Sequence, residues 1–315
     1  MTSKIYNETA WAKVNLTLSI LGKREDGYHQ LESLVVFAGC GDELSFFPSN
    51  ENNLSPTNSK FKLDVTGPEA LTIEGENLVE TVGVHLFTEL SPFSALPLAS
   101  KKIGDFHLKK QLPVAAGLGG GSADAAALLR LVKRFLTDRG ADFSDFDFVK
   151  FAQKFGADIP VCISSAPAFM QGIGEIVQPI KQMPKIQMLL VNPRVTVSTA
   201  SVFQALNASP FQHEESQSDF DFCSLEFSSI GSVISTMERI PNDLLESALK
   251  VAPEIGEVLN EIGRLDRCVI SRLSGSGATC FGLFETEEDV QRAGAELRAR
   301  FPKWWIKETF VRPLL

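Results

Sequence analysis

Residues 113–129 join a glycine-rich loop directly to an alanine-rich segment, in the order Pro-Val-Ala-Ala-Gly-Leu-Gly-Gly-Gly-Ser-Ala-Asp-Ala-Ala-Ala-Leu-Leu. From Ser122 to Leu136 apolar residues recur at three- and four-residue spacing, which predicts a helix that begins at the glycines and ends before Gly140. The start of a helix offers backbone N–H groups and the positive end of the helix dipole, so we expect a phosphate site here. The residues that leave the backbone uncovered by side chains are Gly117, Gly119, Gly120 and Gly121.

This loop differs from two common nucleotide-binding motifs. No Lys follows the glycines, as the P-loop pattern requires. The dinucleotide fingerprint needs an acidic residue at a strand end about twenty positions further on, and the sequence does not fit that pattern. A flexible turn before a capped helix is the alternative, although an ordinary cap needs only one such residue.

The composition narrows the class of protein. The 315 residues, 44% of them hydrophobic, are enough for two domains with substantial cores. The net charge of -9 argues against nonspecific binding to nucleic acid or to an anionic membrane surface. The N-terminus lacks the basic and apolar blocks of a signal peptide, and no 18 apolar residues run together. The five scattered cysteines form no Cys-x-x-Cys pair. We therefore expect a cytoplasmic protein. The four histidines are not paired with another His or a Cys at the spacing of metal ligands, so we expect no structural zinc site.

Periodicity and turn residues predict the order of the remaining elements. Strands are expected at 12–20, 31–37, 43–47, 61–65, 71–73, 105–110, 186–191 and 304–310, and hairpins at 168–177 and 268–284. Helices are expected at 77–90, 144–155, 224–238, 243–250, 252–264 and 287–300. A turn is expected at 39–42, a surface loop at 48–60, and a polar, mobile segment at 207–219.

The sequence alone leaves the roles of three polar residues open. The alternation in the first strand puts Lys13 and Asn15 on one face, and a solvated face is the common reason for a lysine there. Asparagine is disfavoured in strands, so Asn15 indicates a polar contact. Asp158, in Gly-Ala-Asp-Ile-Pro, fits a turn after a helix.

Three segments together resemble the motifs of the GHMP kinases, the superfamily of galactokinase, homoserine kinase, mevalonate kinase and phosphomevalonate kinase. They are the strand with Lys13 and Asn15, the glycine-rich loop, and the later stretch Gly-Ser-Gly-Ala at 275–278. The resemblance narrows at Asp-Gly-Tyr-His, residues 26–29, to the GHMP kinases that phosphorylate the 2-hydroxyl of 4-diphosphocytidyl-2-C-methyl-D-erythritol in the non-mevalonate isoprenoid pathway. The sequence departs from that family at 122–125, where it has Ser-Ala-Asp-Ala and close relatives often carry Ser-Ser-Asn-Ala.

The resemblance implies an α+β, two-domain GHMP kinase fold with ATP and substrate in the cleft between the domains. Residues 1–166 would form the ATP-binding domain, and residues 167–315 the substrate-binding domain. It also implies ATP and Mg²⁺ as cofactors, a small-molecule substrate that is a cytidine diphosphate sugar alcohol, no nucleic-acid or membrane partner, and a monomer or weak homodimer. Two alternatives stay open: a GHMP kinase for homoserine or a mevalonate compound, and a nucleotide-binding regulator that has lost catalysis.

The same resemblance implies roles for individual residues. Asp158 would be the catalytic base, with Lys13 as its partner. The nucleotide would be bound by Pro113, Ala115, Gly117, Leu118, Gly119, Gly120, Gly121 and Ser122. The substrate would be bound by Asn15, Tyr28, His29, Thr199 and Phe203. Tyr28 and Phe203 would sandwich the cytosine while His29 reads its edge, and the alternative is that both aromatic residues belong to the core.

Overall fold

The structure, a computed structural model, describes residues 4–49, 61–70, 76–93, 103–211 and 227–313. The strands are β1 (Tyr6–Asn15), β2 (Ser19–Lys23), β3 (His29–Pro48), β4 (Leu63–Thr66), β5 (Gly104–Lys109), β6 (Ala168–Gly172), β7 (Ile176–Pro179), β8 (Gln187–Asn192), β9 (Ile270–Leu273), β10 (Cys280–Phe284) and β11 (Trp305–Phe310). The α-helices are α1 (Leu78–Leu90), α2 (Gly120–Thr137), α3 (Phe148–Gln153), α4 (Ile159–Ser164), α5 (Thr199–Leu206), α6 (Ile230–Arg239), α7 (Leu245–Val251), α8 (Glu254–Gly263) and α9 (Glu287–Arg300). The strand expected at 71–73, most of the loop at 48–60, the later part of the segment at 207–219 and the start of the helix at 224–238 lie outside the described residues.

The chain forms two compact units, each built from several segments. Unit 1 contains residues 1–11, 41–114 and 120–164, and unit 2 contains residues 12–40, 115–119 and 165–315. Strands β1 and β3 each begin in one unit and end in the other. The assignment of ATP to residues 1–166 and of substrate to residues 167–315 stays a prediction.

In unit 1 an aromatic core joins helix α2 to the sheet. The second half of β3 pairs antiparallel with β5, and β5 pairs parallel with β4. Phe46 on β3 stacks on Phe106 of β5 with ring centroids 4.4 Å apart, and Phe135 of α2 meets Phe46 edge-on at 4.8 Å. Helices α1 and α4 also pack against α2. Aromatic pairs of this kind add to the burial energy, so the helix that follows the glycine-rich loop is firmly held on the sheet of its unit.

Unit 2 contains the end of β1, with Lys13 and Asn15, and the turn between β9 and β10, with the Gly-Ser-Gly-Ala stretch. The first half of β3 pairs with β2 and β6, and β6 pairs with β7. Strands β11, β8, β10 and β9 form, in that order, a four-stranded antiparallel sheet. Helices α8 and α9 pack on this sheet over a core that includes Leu189, Val258 and Phe284. The two strands that flank the β9–β10 turn are thereby held in a packed sheet.

Many expected elements are confirmed with shifts of one to a few residues at their ends. They include α1, α9, β5, β8, β11, the β6–β7 hairpin and the β9–β10 hairpin. The sequence signal for the start of α1 involves only neighbouring residues, since the side chain of the cap residue Asn77 accepts a hydrogen bond from the N–H of Val79. Helix α2 begins at Gly120 rather than Ser122, so two of the loop glycines belong to its first turn.

The turn expected at 39–42 is wrong, because β3 runs through it as one strand of 20 residues. The two glycines in this part of β3 instead allow neighbouring residues to pack closely against the strand. A Cβ on Gly39 would lie 2.7 Å from the ring of Phe310, and a Cβ on Gly41 would lie 2.2 Å from the carbonyl oxygen of Ala10. The continuous strand expected at 12–20 is also wrong, since β1 ends at Asn15 and β2 begins at Ser19.

The helix expected at 144–155 is shorter in the structure, where α3 begins after its cap Asp147. The Asp147 carboxylate accepts the N–H groups of Val149 and Lys150, which fixes the start of this helix. Residues 159–164, for which the sequence predicts no element, form the short helix α4. Asp158 therefore directly precedes a helix as well as following one.

Candidate active site

The glycine-rich loop owes its shape to glycines with distinct local demands. Gly117 has a φ of +73°, and a Cβ there would lie 2.3 Å from the carbonyl oxygen of Ser274. Gly119 has a φ of +62°, and a Cβ there would lie 3.3 Å from the side chain of Lys13. Gly121 has no atom within 4 Å of a Cβ position, and it is exposed. Two glycines are thus required by the fold, whereas Gly121 leaves open space at the start of α2.

Hydrogen bonds in unit 2 tie the three motif segments together. The N–H of Lys13 donates to the carbonyl oxygen of Leu118 at 2.9 Å. The N–H of Asn15 donates to the Ser274 hydroxyl at 3.2 Å, and that hydroxyl donates to the carbonyl oxygen of Gly117 at 2.8 Å. The first strand, the loop residues 115–119 and the β9–β10 turn therefore form one hydrogen-bonded arrangement.

Lys13 and Asn15 are both only 5% exposed, so the solvated face considered for them is wrong. The Asn15 amide nitrogen donates to the hydroxyl of Ser33 at 2.7 Å, and that hydroxyl donates to the carbonyl oxygen of Thr17. The Asn15 amide oxygen lies 3.3 Å from where a Cβ on Gly275 would be. The expected polar contact of Asn15 is confirmed, and it holds the side chain between β3 and the β9–β10 turn.

Thr199, His29 and Phe203 also lie in unit 2. The Thr199 hydroxyl, in the first turn of α5, is 2.9 Å from the hydroxyl of Ser276. The Phe203 ring lies 4.7 Å, centroid to centroid, from the ring of His29, with 33° between the planes. Burial, and to a smaller extent the charge of Lys23, lowers the pKa of His29, so its ring is neutral at pH 7.

Tyr28 is 59% exposed, so it is not a core aromatic residue. The ring that the structure places on Phe203 is that of His29, while Phe203 itself packs partly against the core of unit 2. The sandwich of a base between Tyr28 and Phe203 stays a prediction. In that sandwich one face would be the exposed ring of Tyr28, and the other would be the ring of Phe203, which is already in contact with the imidazole of His29.

The remaining expected residues, apart from Ala115, belong to unit 1. Asp158 is half-buried directly before α4, where its carbonyl oxygen accepts the N–H of Cys162. Pro113 is buried, whereas Ser122 is half-buried in the first turn of α2. Ala115, exposed, belongs to the loop residues of unit 2 and has a φ of +51°.

Comparison with known proteins gives the family. The family model described as "GHMP kinases N terminal domain" matches residues 77–166, and "GHMP kinases C terminal" matches residues 227–303. A 4-diphosphocytidyl-2-C-methyl-D-erythritol kinase of Bradyrhizobium sp. strain BTAi1 is 40% identical over 97% of this chain and 96% of its own. One from Rhodopseudomonas palustris strain HaA2 is 42% identical over 97% of this chain and 98% of its own. This chain belongs to the 4-diphosphocytidyl-2-C-methyl-D-erythritol kinase family.

Solved structures agree with the fold of this kinase family. The crystal structure of a 4-(cytidine 5'-diphospho)-2C-methyl-D-erythritol kinase has a TM-score of 0.70 and 27% identity, covering 97% of this chain and 99% of that one. Homoserine kinase from Cytophaga hutchinsonii has a TM-score of 0.64 at 14% identity, covering 100% of this chain and 96% of that one, which shows a shared fold alone. The expected α+β GHMP kinase fold is confirmed.

Sequence reasoning missed the serine hydroxyls that hold this family's motifs together. Ser274 and Ser276 flank Gly275, and both are buried. Asn242 adds to them, since its amide nitrogen donates to the carbonyl oxygens of Leu273 and Gly275. The signal in the sequence is the alternation of serine with glycine at 274–277. In the structure the Ser274 hydroxyl contacts the backbone of Asn15 and Gly117, and the Ser276 hydroxyl contacts the Thr199 hydroxyl.

The described ranges contain no helix long and apolar enough to cross a lipid bilayer.

Proposed function

We propose that this chain transfers the γ-phosphoryl group of ATP to the 2-hydroxyl of 4-diphosphocytidyl-2-C-methyl-D-erythritol. The observation that carries the proposal is the likeness, at 40% identity over 97% of the chain, to a curated kinase of that name. The hydrogen-bonded arrangement of its three motif segments in unit 2 supports the same reading.

In this proposal ATP is bound mainly by backbone. The first turn of α2 supplies N–H groups and a positive dipole end, both of which favour phosphate. Gly121 leaves space for the phosphates there, and the left-handed conformations at Gly117 and Gly119 turn the chain into the helix.

Asp158 would accept the proton of the substrate hydroxyl, because an alcohol is a weak nucleophile until it loses that proton. Lys13 would stabilise the charge that develops on the attacking oxygen. Burial of Lys13 suits that role, since electrostatic interactions are stronger away from water.

The cytidine end would be bound in unit 2. Tyr28 offers an exposed aromatic face for stacking, and the neutral His29 ring beside Phe203 offers a hydrogen-bonding edge. Asn15 and the Thr199 hydroxyl supply further polar groups for the alcohol and its diphosphate. These assignments follow the family resemblance.

Mg²⁺ would accompany ATP in this reaction. Among the described residues no group of three or more His, Cys, Asp or Glu side chains could hold a metal ion. Mg²⁺ usually keeps several waters and binds substrate phosphates with only one or two carboxylates, so it would be carried mainly by the nucleotide. When bound, the ion neutralises charge on the transferred phosphoryl group.

We also propose that the kinase is cytoplasmic and works as a monomer or weak homodimer. Sedimentation of the pure protein tests the oligomeric state.

The test is a phosphoryl-transfer assay with ATP and three alcohols: 4-diphosphocytidyl-2-C-methyl-D-erythritol, homoserine and mevalonate. We expect turnover with the first alone. Preferred turnover of another alcohol would make the chain a different GHMP kinase, and ATP binding without any turnover would favour the regulator.

Within this assay, Asp158→Asn should lower kcat by about 10² to 10⁴-fold with little change in substrate affinity, which is the usual effect of losing a positioned general base. Lys13→Met should also lower kcat, and Asp145→Asn, at an exposed aspartate of unit 1, should leave it unchanged. Near wild-type kcat in both Asp158→Asn and Lys13→Met would remove these two residues from the mechanism. Catalysis would then rest on positioning and Mg²⁺.

A further inference from the structure

Three charged residues of unit 1 lie buried under the first turns of α2, and we call Lys110, Asp42 and Asp124 the buried clamp. Their exposed fractions are 4%, 0% and 3%. The Lys110 ammonium donates to Asp124 Oδ2 at 2.7 Å and, in a shorter contact, to Asp42 Oδ2. Charges are rarely buried this completely, so the cluster calls for a specific role.

The clamp holds both ends of the glycine-rich loop. Asp42 Oδ1 accepts the N–H groups of Gln111 and Leu112, the residues that lead from β5 into the loop. At the far end, a Cβ on Gly120 would lie 3.7 Å from the Lys110 ammonium nitrogen and 3.9 Å from Asp42 Oδ2. Because Asp124 stands one turn after Gly120 on α2, its bond to Lys110 fixes the start of that helix.

The charges of the clamp balance only if it carries one extra proton. One ammonium faces two carboxyl groups, so full ionisation leaves a buried net charge of about -1. Asp124 Oδ1 is buried and has no hydrogen-bond partner within the described part of the chain. Burial raises the pKa of Asp124 to about 8, with Lys110 opposing the shift and Asp42 adding to it. At neutral pH Asp124 is therefore mostly protonated and the clamp is neutral.

Few other charged groups face this site. Helix α4 has no charged residue, and the titratable side chains of α1 are exposed: Glu80, His85 and Glu89. Glu69 is buried near the clamp, where its backbone N–H donates to the carbonyl oxygen of Lys110 at 3.4 Å. The charge state of Asp124 is thus set mainly by Lys110, by Asp42 and by burial.

We propose that Lys110, Asp42 and Asp124 are positioning residues that hold both ends of the glycine-rich loop for ATP, and that tight nucleotide binding requires a proton on Asp124. The inference rests on the proposed function, in which the loop binds the ATP phosphates. Loss of the proton puts a buried negative charge beside Gly120, where those phosphates would bind. At an effective dielectric constant of about 20 and a separation of roughly 10 Å, one such charge changes affinity by roughly tenfold.

The test is titration calorimetry with Mg²⁺ and a non-hydrolysable ATP analogue between pH 7 and 9.5, in two buffers with different ionisation enthalpies. The wild-type Kd should rise about tenfold as Asp124 loses its proton, and binding at pH 8.5 should take up a fraction of a proton from the buffer. Asp124→Asn, which is isosteric and cannot titrate, should show a flat Kd and less proton uptake.

The matched control is Asp138→Asn. It makes the same Asp-to-Asn change just after the other end of α2, where Asp138 accepts a hydrogen bond from the hydroxyl of Tyr6, and it should show the pH dependence of wild type. Titration of the analogue itself is common to all three proteins and cancels in the comparison.

A second arm tests positioning. Lys110→Met leaves two buried carboxyl groups without their ammonium, so KM for ATP should rise at least about tenfold while KM for the alcohol changes little. An unchanged KM for ATP in folded Lys110→Met overturns the positioning role.

The remaining outcomes are distinguishable. A pH-independent Kd in wild type, or the same pH dependence in Asp124→Asn, overturns the role of the proton while leaving ATP binding intact. Should Asp124→Asn fail to fold, zero proton uptake by wild type at pH 8.5 overturns it. If wild type binds no ATP analogue at any pH, the proposed function itself fails.

Discussion

Gly121 and Gly117 lie in the same loop, yet the structure predicts opposite consequences for replacing them with alanine. A methyl group on Gly121 meets no atom within 4 Å, and the residue is helical. Alanine is more favourable than glycine inside a helix by about 0.8–1.0 kcal/mol, so Gly121→Ala should be as stable as wild type or slightly more stable. The same methyl group would occupy the surface that phosphates approach, and KM for ATP should rise at least about tenfold.

Gly117→Ala has a steric penalty within the fold. Its φ of +73° costs an alanine about 1–2 kcal/mol, and the new Cβ would lie 2.3 Å from the Ser274 carbonyl oxygen, where overpacking costs about 1–3 kcal/mol more. The sum is about 2–5 kcal/mol. For a chain of this length unfolding as one, an unfolding entropy of about 0.7 kcal/mol/K converts that loss to a fall in Tm of about 3–7 °C.

The assay combines thermal unfolding with initial rates at varied ATP. Gly231→Ala is the matched control, because Gly231 is the second residue of α6 as Gly121 is of α2. It should share the stability of Gly121→Ala and keep the wild-type KM for ATP. Folded Gly121→Ala with an unchanged KM for ATP would refute the loop as the phosphate site, and an unchanged Tm in Gly117→Ala would refute the steric argument.

Two further predictions concern the cytidine end and pH. Tyr28→Ala should raise KM for the cytidine substrate about 5 to 150-fold and leave KM for ATP unchanged. The reason is that stacking on one aromatic ring is worth about 1–3 kcal/mol per base. A defect confined to ATP would contradict the assignment of Tyr28 to the cytosine. In urea titrations at pH 5, 6.5 and 8, wild type should lose stability with rising pH by up to about 1.4 kcal/mol per pH unit relative to Asp124→Asn. The sign follows because burial raises the pKa of Asp124 to about 8, so the folded state retains a proton that the unfolded state releases above pH 4. Parallel curves for the two proteins would show that Asp124 is already ionised in the folded state.

Elements with local signals could be predicted from the sequence. Asn77 caps α1 within two residues of itself, and the Gly172 and Gly174 pair marks the bend between β6 and β7. The glycines of β3 could not be assigned the same way. A turn and a close approach both require glycine, and only the approach of Phe310 and Ala10 shows which of the two applies.

The same limit applies to the site. Lys13, Asn15 and the glycine-rich loop could be proposed because each stands in a motif with its own pattern. The hydrogen bonds that join them run through Ser274, which is separated from Asn15 by 259 positions, so no local pattern links the two residues. The contact between the rings of His29 and Phe203 is equally nonlocal. Both residues could be named from the sequence, and the pairing of Phe203 with Tyr28 around a base stays a prediction.

The buried clamp shows which sequence signals are informative even when the partner is unknown. Asp124 interrupts a run of alanines and leucines on the buried stripe of α2, where an unpaired carboxyl group would be strongly unfavourable. Such a residue requires a basic partner or a proton, and the structure supplies both, with Lys110 at 2.7 Å and a pKa of about 8. Relatives with asparagine at this position would keep an acceptor for the lysine without a titrating group. Their ATP affinity should therefore lack the pH dependence expected here, which makes the aspartate, rather than the loop glycines, the feature that distinguishes this kinase from them.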